Sequence, residues 1–217
     1  PNGNLLYCGR EEENPQGPKM DVFDQNHNLI ATLWFGGGQY LVEIDSDNNL
    51  VWKYEDPLLT HDFYRMENGH TMVIKYVQVP DDLKNEVKGG IPIEPEAPMW
   101  CDALNEVNPK GQVIWEWLAY EHLDPKIDII CPLEHRVEWT HMNTCTVLPD
   151  GNILGSFRHT NTICIIDKDT GNISWRWGPG ELAHQHEPVM LDNGNILVFD
   201  NGAHRAFSRF NYSRVLE

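Results

Sequence analysis

The stretch HMNTCTVLPDGNILGSFRHTNTICIIDKDTGNISWRW, residues 141–177, decides the fold. It holds two kinds of turn. Asp150-Gly151 lies between the apolar runs NTCTVL and NILGSF. Asp-Gly and Asn-Gly reach the positive φ angles that tight hairpins demand, which makes them the strongest short-range hairpin signal. Asp167 opens a second turn, IIDKDTGNISW, with apolar residues on both sides. Joined, the two hairpins predict one unit of four antiparallel strands.

The unit recurs outward in both directions. Asn2-Gly3, Asn68-Gly69 and Asn193-Gly194 repeat the first turn, and Asp24, Asp45 and Asn108 open copies of the second. Trp52, Trp115 and Trp175 sit in the strand after that second turn, where bulky aromatics suit sheets packed face to face. Repeated four-stranded antiparallel units predict an all-β fold, a β-propeller of which residues 1–217 form part of a single domain with about four blade units. A β-sandwich also shows many short strands, but here the units repeat in sequence and not only in spacing. The chain opens on Pro1 and stops at FNYSRVLE without a closing strand pair, so blades are expected beyond it. Two segments break the repeat. Residues 78–98 are rich in Pro, Gly and acid and read as a surface insertion; residues 119–137 are expected to hold a helical turn.

Charge narrows the partners. The formal net charge is −17 over 217 residues with no basic stripe, which argues against nucleic acid and against an anionic membrane surface. The longest apolar runs, such as IDII at 127–130, are far too short to cross a bilayer, and PNGNLLY has no signal-peptide pattern. Cys8, Cys101, Cys131, Cys145 and Cys164 form no zinc-like spacing, and an odd count leaves at least one thiol without an internal partner.

The histidines concentrate at one point of the repeat. His61, His141 and His186 each open the first strand of a unit, seven to nine residues before its Asn/Asp-Gly turn. Equivalent positions of successive blades face one axis, so the three imidazoles are expected to converge. Arg158 and His159 follow the second strand of the 141–177 unit and reach toward the same place; Asn143, two residues after His141, is expected on the same strand face. Imidazole is a nucleophile or proton carrier near neutral pH. Arginine offers a planar fork of donors and asparagine a neutral one. Such a set suits a tetrahedral oxyanion, with positive charge focused locally against the acidic whole.

At these residues the sequence resembles the arylsulfate sulfotransferase family. The resembling stretches are THDFYRMENGHT at 60–71, EWTHMNTCTVLPDGNILGSFRHTNTICIIDKDTGNISWRWG at 138–178 and QHEPVMLDNGNILVFDNGAHR at 185–205. The resemblance implies a propeller enzyme that moves a sulfuryl group from an aryl sulfate ester to a phenolic acceptor. It implies no nucleotide sulfate donor and a periplasmic or secreted setting; no cofactor and no metal are expected, since no carboxylate lies at a matching position in all units. It makes His186 the covalent nucleophile, with a sulfohistidine intermediate and ping-pong kinetics. His61, His141, Asn143 and Arg158 become its anion-binding partners, and His159 a further substrate-binding candidate. His141 or His61 protonates the departing phenolate.

Two other classes compete. A metal-dependent propeller hydrolase would use His184 and His186, which alternation puts on one strand face. A non-catalytic binding propeller would leave Arg158 and His186 replaceable.

Overall fold

The computed structural model describes residues 5–9, 19–23, 29–34, 40–45, 47, 49–206 and 208–217. The described residues are almost all strand and turn. β1 (Leu5–Gly9), β4 (Tyr40–Ile44) and β5 (Leu50–Glu55) make one antiparallel sheet, and β2 (Lys19–Phe23) pairs with β3 (Leu29–Trp34). β6 (Leu59–Arg65), β7 (Thr71–Gln78), β9 (Trp100–Val107) and β10 (Val113–Leu118) form a four-stranded antiparallel sheet in chain order. β12 (Met142–Val147), β13 (Ile153–Phe157), β14 (Thr162–Ile166) and β15 (Ile173–Trp177) form a second. β16 (His186–Met190), β17 (Ile196–Asp200) and β18 (Arg214–Leu216) form a three-stranded sheet. The all-β antiparallel architecture expected from the hairpins is what the chain adopts.

The turns explain the order. At Asn68-Gly69, Asp150-Gly151 and Asn193-Gly194 the glycine lies at φ 83°, 89° and 85°, while the Asx residue before it stays at negative φ. In all three, the glycine N–H and the N–H of the residue after it close the loop: Gly151 N donates to Leu148 O at 2.9 Å and Asn152 N to Asp150 Oδ1 at 3.0 Å. This is a three-residue loop with a left-handed glycine rather than a two-residue turn. In the other hairpin type the opening side chain caps the turn, as where Thr170 N donates to Asp167 Oδ1 at 2.8 Å. Asn2-Gly3 and Asp24 lie outside the described residues.

Each recurring tryptophan meets the next sheet. Trp52 on β5 donates from Nε1 to Pro109 O (3.1 Å) beyond β9, and Trp115 on β10 lies under Lys168 from the β14–β15 turn. Trp175 on β15 is 40% exposed and faces Met190 and Ile196 across a groove. The larger payload belongs to Trp117 and Trp139, fully buried with Met72, Ile74, Leu104, Met142 and Phe157 between the two four-stranded sheets. Each such burial is worth about 1.5–3 kcal/mol. Both indole N–H groups are satisfied, by Gly171 O at 2.8 Å and Asp128 O at 2.6 Å.

The first strands of consecutive sheets meet: β12 packs against both β6 and β16. The two segments outside the repeat also meet each other. The first carries α1 (Asp81–Glu86) and β8 (Gly89–Ile91); the second carries α2 (Ala119–His122), the expected helical turn, and β11 (Ile130–His135). β8 and β11 pair in parallel, and Arg136 clamps them by donating to Val87 O and Gly89 O at 2.9 and 2.7 Å. No helix among the described residues is long and apolar enough to cross a membrane.

Candidate active site

The first strands are irregular where their histidines sit. Pairing of β6 with β7 shifts between Thr60 and Phe63, of β12 with β13 between Met142 and Thr144, and of β16 with β17 between His186 and Val189. His61 and His141 hold φ of 43° and 53°, and Glu187, next to His186, holds 49°. A left-handed non-glycine residue costs about 1–3 kcal/mol, and such strain concentrates at functional sites. The bulge turns the side chain out of the strand's alternation. As a result the His61 and His141 rings meet edge to face at 4.4 Å, and His159 stacks on His141 at 4.6 Å.

Carboxylates sort the imidazoles. Glu138 Oε2 lies 2.5 Å from His141 Nδ1, and Tyr76 donates its hydroxyl to Oε1 at 3.1 Å. Burial works to raise the Glu138 carboxyl, but His141 and its other partners outweigh it and hold it below its ordinary value. An ionised carboxylate only accepts, so His141 Nδ1 carries a hydrogen and its Nε2 faces the site. Asp102 pins the chain on both sides of His141: the Thr140 hydroxyl and the Met142 backbone N–H donate to its Oδ2 at 2.5 and 2.6 Å. Full burial pushes the Asp102 carboxyl up to about 7. His61 has its Nδ1 2.5 Å from Thr60 Oγ1. Burial, reinforced by His141, lowers it to about 4, with His186 and Arg158 adding to the effect. His61 is therefore a neutral imidazole at pH 7. Burial also lowers His159.

Arg158 reaches the site from the end of β13. Its backbone N–H donates to His141 O at 3.1 Å and its guanidinium donates to Glu134 Oε1 at 2.9 Å. Its charge is thus met by a carboxylate that β11 supplies. His186 Nδ1 lies 2.7 Å from Asn201 Oδ1 and 3.2 Å from His184 O, both acceptors, which leaves Nε2 with its lone pair. Asn143 is buried and donates to Gln185 O at 2.8 Å, so it braces the backbone beside His186. The shifted register at Met142/Thr144 undoes the alternation that would have put it on the face of His141. His184 and His186 likewise part company: the His184 ring turns toward Glu134, Cys131 and His204. A depression of about 250 Å³ beside Glu138 is walled by Leu58, Tyr76 and Trp100, whose two rings lie edge to face at 6.3 Å. The larger groove, about 630 Å³ and lined by Trp175, Trp177 and Leu216, lies between the last two sheets, away from the histidines.

Several residues here carried no sequence signal of their own. Glu134 and Cys131 come from the 119–137 segment, Glu138 from the bend before His141, and Tyr76 from the far end of β7. Asn201 stood within the FDNG run, where only proximity to His186 reveals its role.

The site thus gathers histidines from strand starts, an arginine from a strand end and carboxylates in an all-β chain. Residues 2–184, most of the chain, match the family described as Arylsulfotransferase (ASST), and the chain belongs to that family. The matched segment contains His61, His141, Asn143, Arg158 and His159; His186 lies just beyond it. No curated protein matches the chain. Among solved structures, the crystal structure of a protein of unknown function from Bacteroides caccae is similar, with a TM-score of 0.50 and 15% identity, covering 98% of this chain and 72% of that one. That likeness concerns the fold alone.

Proposed function

We propose that the chain is an aryl sulfate:phenol sulfotransferase, working through a sulfohistidine on His186 and needing no nucleotide donor. The observation that carries the reading is His186 itself. Its Nδ1 is tied to Asn201, which leaves Nε2 as the nitrogen open to a substrate, and it lies near the neutral His61, on which Arg158 also acts. The fold proposed with it is a single β-propeller domain with its blades about one axis. First strands that pack in series and tryptophans that each face the next sheet support it.

His186 Nε2 attacks the sulfur of the bound ester. The N–S bond forms as the S–O bond to the aryl group breaks. The departing phenolate takes its proton from His141, whose Nδ1–H stays on Glu138. His61, depressed to about 4, carries no spare proton near neutral pH and serves instead as a neutral N–H donor to a sulfuryl oxygen. Arg158 turns from Glu134 to the other oxygens, exchanging one anion for another. His159, stacked on His141, completes the donor set, and Asn143 holds the His186 backbone in place. Tyr76 and Trp100 offer aromatic walls for the aryl ring. The acceptor phenol then attacks the sulfur, returns a proton to His141 and frees His186, in a ping-pong cycle. Positioning and preorganised donors do most of the work, as in phosphoryl transfer.

Incubation of the full chain with 4-nitrophenyl sulfate and no acceptor should add one sulfuryl group to the peptide holding His184 and His186. His186→Ala should prevent it. An adduct surviving in His186→Ala but lost in His184→Ala would shift the nucleophile by two residues. A second reading, hydrolysis at a metal on Glu138, His141 and His159, draws on ligand atoms that lie within 4.8 Å of one another. It predicts turnover that survives His186→Ala and falls on chelation.

A further inference from the structure

A second cluster lies behind Glu134, made by residues the sulfuryl-transfer scheme does not use. Cys131 on β11, His184 just before β16 and His204 just after β17 each offer a ligand atom, all within 4.8 Å of one another. His184 is 1% exposed, and neither of its ring nitrogens has a hydrogen-bond partner. Buried polar atoms are almost always paired, so two unpaired nitrogens on one imidazole call for a ligand. Both histidines hold left-handed backbone, φ 57° at each, so the chain is bent to bring them here.

The spacing is that of a coordination sphere. Zinc bonds of about 2.3 Å to thiolate and about 2.0 Å to imidazole or carboxylate, at tetrahedral angles, separate ligand atoms by about 3.3–3.6 Å. Cys131 Sγ lies 3.6 Å from His204 Nδ1. Glu134 Oε1 lies 3.5 Å from His184 Nδ1 and 3.7 Å from His204 Nδ1. The two rings cross at 4.5 Å and 70°, leaving a gap between them rather than a stack. A cavity of about 470 Å³, with Cys131 and His204 in its wall, gives an entry path.

We propose that Cys131, His184 and His204, with the Glu134 carboxylate beside them, form a binding site for a divalent metal ion of the zinc class. One thiolate and two imidazoles are a donor set of intermediate softness, which suits zinc over magnesium or calcium. Burial raises the Cys131 thiol, so without a metal it stays protonated and is not a free nucleophile. On binding, the S–H proton leaves to solvent and the thiolate takes the metal. Glu134 supplies the compensating negative charge and answers the nearby Arg158 cation. The ion would tie β11, from the segment outside the repeat, to the backbone two residues before His186. The site stands whether or not His186 carries a sulfuryl group, because the His186 ring turns to Asn201 instead.

Cobalt(II) is the probe. The reduced, chelator-stripped full chain should take up one equivalent and show a thiolate-to-cobalt charge-transfer band in the near ultraviolet, and excess zinc should erase it. Cys131→Ser should lose that band, and His204→Ala, at the partly exposed ligand, should weaken uptake by about tenfold or more. His186→Ala should leave uptake unchanged. Circular dichroism keeps unfolded variants out of the comparison. The proposal is overturned if the folded chain takes up no stoichiometric cobalt, or if zinc cannot displace it. Uptake unchanged in both Cys131→Ser and His204→Ala would also sink it. So would uptake lost in His141→Ala while those two retain it, since the ion would then belong to Glu138, His141 and His159.

Discussion

β6, β12 and β16, the first strands of three of the sheets, each bend backward twice, once at each end, and the two ends solve the same problem with different residues. At the turn end, Gly69, Gly151 and Gly194 take positive φ. At the histidine end, His61, His141 and Glu187 take it. Glycine meets the demand with almost no steric cost, whereas a side chain there costs on the order of 1–3 kcal/mol. Chain reversal alone needs only glycine. Where the bent backbone must also present an imidazole, the strained residue is kept. The turn end is thus built for stability and the histidine end for chemistry, and substitutions at the two ends should fail in different ways.

The largest effect should fall at the histidine end. His186→Ala removes the nucleophile and should abolish turnover while leaving the thermal midpoint nearly unchanged, since that residue is only half-buried. Residual turnover would break the division between the ends. Arg158→Lys keeps the charge and loses the fork, so kcat should fall by ~10²–10³-fold, the size typical of one oxyanion donor. Asn201→Ala frees the His186 ring to rotate and should cost about tenfold to a hundredfold in kcat. Asn201→Asp restores an acceptor at the same distance and should recover part of that loss. Its added charge should also raise the acid limb of the pH–rate profile, which a merely structural role for Asn201 would not do.

The turn end was legible in the sequence, and the histidine end only in part, for a physical reason. A turn is decided by residues within five positions of one another, as Asp150, Gly151 and Asn152 show. The convergence of His61 with His141 followed from the repeat, which multiplies a local signal. Contacts without a repeat behind them could not be read. Cys131 meets His204 across 73 positions and Lys168 meets Glu106 across 62. Asn143 shows a different limit. Alternation assumes a regular strand, and one shifted residue at Met142/Thr144 redirects its side chain to Gln185.

Asp102 tests the support under the histidine end. Its carboxyl is pushed up to about 7 in the fold, against about 4 in the unfolded chain. Between those values the folded state holds a proton that the unfolded state has released. Stability supplied by this group therefore falls as pH rises from about 4 to about 7, by up to about 1.4 kcal/mol per pH unit. His61, lowered from 6.5 to about 4, works in the opposite sense over most of that window, so the parent chain alone does not isolate the slope. The difference between Asp102→Asn and the parent does. Thermal midpoints should shift in the variant's favour across that window, and a pH-independent difference would show that Asp102 is already ionised in the fold.

The smallest effect should come from the turn end. A Cβ on Gly151 would meet no atom within 4 Å, so Gly151→Ala introduces no clash, only an alanine held at φ 89°. Left-handed backbone costs an L-residue roughly 1–2 kcal/mol, partly offset because alanine also restricts the unfolded chain. The thermal midpoint should drop by a few degrees. The turn's hydrogen bonds, Leu148 N to Asn152 O and Gly151 N to Leu148 O, should persist, because both use backbone that alanine retains. Turnover per folded molecule should match the parent, since Asp150-Gly151 stands at the opposite end of β12 from His141. Loss of activity without loss of stability in this variant would mean that the two ends of the strand are mechanically coupled, and the division of labour between them would fail.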